Sequence, residues 1–264
     1  MVSISKNKII WTLISALILT GSCLVTSASS AIESIEEAVN RAGRQRMITQ
    51  RLLKDYAMVG MGLKFADPAA DMKEKIGWFD ETLKELQAMQ VNDDVNKSLL
   101  ENEILWKPIK VVLEGTPEKA RAKDLQISLE ALLKSCHRST VLLSKASGSE
   151  AGEIVNISGR QRMLSQRLAS LYMLKVWGIS DPEFQTKLEK TRSDFAKAQI
   201  TLAESPLSTP EIQVKLKEVK KTFSFFEIMA KTKSERYSPS LISKLTNTML
   251  VEMDNVTRLY VSGK

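Results

Sequence analysis

Two arginines, Arg46 and Arg162, sit in identical pentapeptides, GRQRM at 43–47 and at 159–163, which lie 116 residues apart. A guanidinium carries five N–H donors in a planar fork, a geometry suited to a carboxylate or a small oxyanion. The surrounding stretches, VNRAGRQRMITQRLLKDY (39–56) and VNISGRQRMLSQRLASLY (155–172), read as helices. At 100° per residue, Ala38, Ala42, Ile48, Leu52, Leu53, Tyr56 and Ala57 share one apolar arc, and Asn40, Arg44, Arg51 and Asp55 fall on the opposite, solvent-side arc. Arg46 falls inside the apolar arc. In the second copy Leu164, Leu168, Ala169, Tyr172 and Met173 define the apolar face, Arg162 lies within it, and Arg160 and Arg167 point outward.

A buried guanidinium costs several kcal/mol unless it is paired and hydrogen-bonded. Gly43 and Gly159, three residues earlier, permit close approach of a backbone or ligand. Gln50 and Gln166, four residues later, offer further amide donors. The competing reading is an internal salt bridge. Glu37 and Glu153 match between copies but sit on the outer arc beside Arg44 and Arg160, and no acid repeats at a matching inner position. Spacing alone leaves the two readings even.

The elements that carry these arginines are repeated too. Asp67-Pro68 and Asp181-Pro182 read as helix starts, with Asp as N-cap and Pro as the first helical residue. Apolar periodicity continues over 72–89, 95–113 and 117–144 in the first copy, and over 184–203, 212–230 and 239–260 in the second, with a kink expected at Pro108. No alternating strand pattern competes. The expected fold is all-α: two tandem four-helix bundles, at 31–146 and 149–262, with short connections.

The 264-residue chain is 43% hydrophobic and can bury a sizeable core. Residues 1–28 read as a cleaved signal peptide, with Lys6 and Lys8 before an apolar run and cleavage after Ala28 or Ala31; an uncleaved anchor and a lipoprotein at Cys23 are the alternatives. Removing those two lysines takes the net charge from +7 to +5. Export and the absence of a dense basic run argue against nucleic acid. After cleavage Cys136 is the one cysteine, so no intrachain disulfide is expected. Cys136 and the sole histidine, His137, read as a small buried thiol beside a surface imidazole. With no clustered metal ligands, nucleophile motif or Gly-rich phosphate loop, neither an enzyme nor a metal or other cofactor is expected.

The box N-x-x-G-R-Q-R-M-x-x-Q-R-L, at 40–52 and 156–168, resembles that of the NarX/PilJ-like sensor domain, found at the N-terminus of type IV pilus chemotaxis transducers and of nitrate/nitrite sensor kinases. The resemblance is strong over the first helix of each copy; elsewhere it extends only to length and helical pattern. It implies a periplasmic four-helix bundle in which the arginine of G-x-x-R-M contacts an anion from both sides of an interface, aided by backbone near the glycine. Carried onto this chain, it implicates Arg46, Met47 and Gly43 with Arg162, Met163 and Gly159. It also implies nitrate or nitrite as ligand and, since no kinase or methyl-accepting region follows the second copy, a separate membrane sensor or chemoreceptor as partner. A chain with two boxes could bring both arginines to one intrachain, pseudo-twofold site. Two half-sites completed by a homodimer, or no anion site, are the alternatives.

Overall fold

The computed structural model describes residues 32–230 and 238–263. The expected signal peptide, its cleavage sites and Cys23 lie outside the described residues. Eight α-helices follow one another among those residues: α1 (Ile35–Gly60), α2 (Pro68–Ala88), α3 (Asp93–Glu114), α4 (Ala122–Ser147), α5 (Glu150–Val176), α6 (Phe184–Glu204), α7 (Pro210–Ala230) and α8 (Pro239–Ser262). No strand occurs among them.

Local chemistry sets the helix starts. Ser34 and Ser149 accept hydrogen bonds from the backbone N–H groups of Glu37 and Gly152, each at 3.0 Å, capping the two GRQRM helices. Asp67 caps α2 through Ala70 N–H at 3.2 Å, with Pro68 in the first turn, as its sequence predicts. The second Asp-Pro pair behaves differently. Asp181 accepts from Glu183 N–H at 3.0 Å and pairs with Lys187 at 2.8 Å, so α6 begins only at Phe184. The helix expected from residue 117 starts later, as a 3-10 turn over Lys119–Arg121 that leads into α4. The cause is Tyr56, whose hydroxyl accepts from Glu118 N–H at 2.9 Å and holds that residue extended. In the second copy the hydroxyl of Tyr172 holds Ser238 N–H in the same way, at 2.8 Å. Helix α3 runs on through Pro108 without ending there.

In each copy the helices close a ring, α1–α2–α3–α4 and α5–α6–α7–α8, in which the first helix packs on the second and on the last. The internal packing repeats as well. Phe79 stacks on Trp106 with centroids 4.2 Å apart, and Phe195 on Phe223 at 4.5 Å. The amides of Gln45 and Gln161 donate to the carbonyls of Phe79 and Phe195. The two rings are joined along α1 and α5, whose mutual packing is the most extensive of any helix pair. One hydrophobic core runs through both copies.

This seam corrects the helical-wheel reading. The apolar arc is buried as expected, but Asn40 and Asp55, placed on the solvent side, are buried too. A wheel assigns one buried face to an amphipathic helix. Here α1 packs on α2 and α4 and also on α5, so little of its outer arc is left to water. Arg44 and Arg51 keep partial exposure.

Candidate functional site

Arg46 and Arg162 are both completely buried. They face each other where α1 crosses α5 at Gly43 and Gly159. A Cβ built on Gly43 would lie 3.2 Å from Arg46 Nη2, 3.3 Å from Arg162 Nη2 and 3.9 Å from Gly159 Cα; one built on Gly159 meets the same set at 3.2, 3.4 and 3.9 Å. The glycines thus make room for the two guanidiniums more than for the opposing backbone.

Each arginine reaches across the seam in the same way. Arg46 Nη2 donates to the carbonyl of Asn156 at 3.1 Å, and Arg162 Nη2 donates to the carbonyl of Asn40 at 3.1 Å. Those asparagines open the repeated box, six residues before each arginine. Arg46 Nη1 also donates to Asn156 Oδ1 at 2.8 Å. Neither Nε has a protein partner among the described residues.

The copies diverge at Nη1. Arg162 Nη1 donates to Asp254 Oδ1 on α8 at 2.6 Å, and Arg44 also approaches that carboxylate, at 3.6 Å. Arg46 Nη1 instead meets Nδ1 of His137 on α4, at 3.1 Å. One inward arginine therefore has an internal carboxylate and the other has an imidazole. Burial, and then repulsion by Arg162, bring the Arg46 pKa down to about 9. Burial also lowers Arg162, against the pull of Asp254. Partial desolvation, and then the nearby Arg46 and Arg160 charges, push His137 down to about 4, so the ring is neutral near pH 7.

Gln50 and Gln166 are buried but engaged elsewhere. Gln50 Oε1 accepts from Ser170 Oγ at 3.1 Å, and Gln166 Nε2 donates to the carbonyl of Thr246 at 3.3 Å. Met47 and Met163 are buried. Asn156 and Asp254 had no expected role at the crossing, and His137, expected as a surface imidazole, is exposed but also meets Arg46. The asparagines were visible as the first letter of the box, but His137 and Asp254 stand on other helices and carry no motif. Cys136 is buried and its thiol is pushed up to about 12 by desolvation, which leaves it an inert core group. Among the described residues no cluster of three or more His, Cys, Asp or Glu could hold a metal, and no helix is long and apolar enough to cross a membrane.

The family model for the type IV pili methyl-accepting chemotaxis transducer N-terminal domain (PilJ) matches residues 28–105 and 143–231, one segment in each copy. Both GRQRM boxes lie inside the matched segments, while His137 and Asp254 lie outside them. No curated protein and no solved structure matches the chain.

Proposed function

The chain belongs to the PilJ family of type IV pili methyl-accepting chemotaxis transducer N-terminal domains, and on that premise we propose that it is a non-enzymatic, periplasmic binder or sensor of a small oxyanion, nitrate or nitrite first, acting with a separate membrane receptor. The observation that carries this reading is the Gly43–Gly159 crossing. Two buried guanidiniums flank it, and among the described residues each has an unpartnered Nε–H and only one of them has a carboxylate. A planar anion accepting from both would offset the charge and fill those donors. The proposed site comprises Arg46, Arg162, Gly43 and Gly159, with Met47, Met163, Gln50 and Gln166 around it. The chain is divided, on the same proposal, into bundles at 31–146 and 149–262, so that both half-sites come from one chain.

Calorimetry of the protein against nitrate, nitrite, sulfate, phosphate and small carboxylates tests this. One nitrate or nitrite per chain is expected. Arg46→Ala and Arg162→Ala are each expected to abolish binding, since losing one partner of a buried charged contact costs on the order of 2–5 kcal/mol. Arg44→Ala removes a partly exposed charge and is expected to cost at most about 1 kcal/mol. Single variants that halve the stoichiometry at unchanged affinity would replace the shared site with two independent ones. The Arg162–Asp254 pair favours a second reading, a structural module whose arginines are satisfied internally; under it no anion binds.

A further inference from the structure

Beside His137 a cleft of about 230 Å³ opens between α4, α5 and α6. Arg46, which borders the Gly43–Gly159 crossing, also contributes to its wall, and the rest of the lining comes from α4, α5 and α6. We infer that this cleft is a second binding site, for a small organic carboxylate held by His137 Nε2–H and Arg160, which takes the place that the Asp254 carboxylate fills for the other arginine.

The repeat supplies the first argument. His137 and Asp254 stand at the same position of α4 and α8, each fifteen residues after the helix starts at Ala122 and Pro239. By the 116-residue period, Arg160 corresponds to Arg44 and Asp194 to Trp78. Around Arg162 the equivalent space is occupied from within the chain. Asp254 supplies the carboxylate, and the Trp78 ring lies under Arg44 at 5.8 Å and under Lys75 Nζ at 3.4 Å. Around Arg46 the carboxylate is exchanged for an imidazole and the indole for the shorter Asp194, and a cleft is left.

Tautomer chemistry supplies the second. Arg46 can only donate, so His137 Nδ1 must accept its Nη1–H. A neutral ring that accepts at Nδ1 carries its proton on Nε2. His137 is exposed and lines the cleft, so this second donor is available there, with the buried Arg46 charge polarising it from behind.

The third argument is the lining. Besides Arg46 it holds five cationic side chains against two acids, Glu130 and Asp194. Both acids are already engaged, Glu130 by Arg167 and Asp194 by Arg160, each at 2.9 Å. Leu133, Met163 and Leu164 provide apolar wall. An anion with a short hydrocarbon part fits that combination better than a bare inorganic ion.

Because His137 is the only histidine, its imidazole proton resonances report the site directly. The full chain would be titrated with acetate, succinate and benzoate, and with chloride and nitrate as inorganic probes. At least one carboxylate is expected to saturate a shift of the His137 signals and to raise the imidazole pKa by one unit or more. Arg160→Gln is expected to weaken that carboxylate at least tenfold. Asp194→Trp, which refills the cleft as Trp78 does, is expected to abolish the response, although removal of an acid alone would strengthen anion binding. Circular dichroism checks that both variants stay folded. No saturable response to any carboxylate, an equal response to chloride, or full binding by Asp194→Trp would each overturn the assignment. Because Arg46 borders both sites, nitrate is also titrated calorimetrically into Arg160→Gln, where binding at the arginine crossing should persist while the carboxylate response is lost, so either site can fail without the other.

Discussion

His137 and Asp254 occupy equivalent positions in the two copies and answer the same question differently: Asp254 gives Arg162 a carboxylate at 2.6 Å, and His137 gives Arg46 an uncharged ring at 3.1 Å. A duplicated helical unit has thereby become electrostatically one-sided. Among the described residues Arg46 is left as the buried cation without an acid of its own.

Asp254→Ala removes the counter-charge of a fully buried guanidinium. It is expected to destabilise the fold by about 2–3 kcal/mol, at the low end for a broken buried pair because Asp254 is itself partly exposed. His137→Asp should do the reverse, adding a charged hydrogen bond to Arg46 worth about 1–2 kcal/mol. Urea unfolding of the two variants checks both signs, and His137→Asp as the less stable of the pair would contradict the asymmetry.

Asp55 gives a pH signature. Burial, reinforced by a hydrogen bond to Asp71, raises it from 3.8 to about 8, and this outweighs the opposing pull of Lys54 at 3.1 Å. Between those values the folded state holds a proton that the unfolded chain has released. The contribution of Asp55 is therefore without cost below about pH 4, and stability falls as pH rises towards 8, by at most about 1.4 kcal/mol per pH unit. Asp71, lowered to about 2 by its hydrogen bonds to Asp55 and Arg51 and by the nearby Arg51 and Lys54 charges, contributes stability that is lost only on acidification below about 4, so the two windows separate. Asp55→Asn keeps a donor for Asp71 and cannot ionise. Its unfolding free energy should be flatter than wild type between pH 4.5 and 8; equal slopes would refute the buried protonated carboxyl.

Gly43→Ala separates stability from binding. Replacing a helical glycine by alanine gains about 0.5–1 kcal/mol, and the new Cβ would sit at ordinary contact distance from Gly159 Cα. Both Nη2 atoms, at 3.2 and 3.3 Å, would have to move by a few tenths of an ångström. Thermal stability is expected to hold or rise while nitrate affinity drops. A variant with unchanged affinity would show that the crossing geometry does not matter.

Gly60 behaves in the opposite way. A Cβ there would stand 2.2 Å from Trp177 Cζ2, inside the ring that packs edge-on against Tyr56 with centroids 6.1 Å apart. Gly60→Ala is expected to cost about 1–3 kcal/mol by overpacking. Gly77→Ala, with nothing within 4 Å of its Cβ, should be neutral or stabilising. Melting temperatures of the pair provide the comparison.

Much of this protein was legible in its sequence, because period and repetition are local properties. Apolar spacing fixes the helices, the capping Ser and Asp-Pro signals fix several of their starts, and the duplicated GRQRM box marks two arginines inside apolar arcs. Only the tertiary structure decided what surrounds those arginines. A helical wheel knows the faces of one helix but not how many neighbours cover them: Asn40, whose carbonyl accepts from Arg162, is covered by α5, and Asp55, bonded to Asp71, faces α2. The partners of Arg46 and Arg162 are set by the register of α4 and α8 against α1 and α5. That register places an acid beside one arginine and the sole histidine beside the other, and no spacing within a single helix encodes a contact between residues 91 or 92 positions apart.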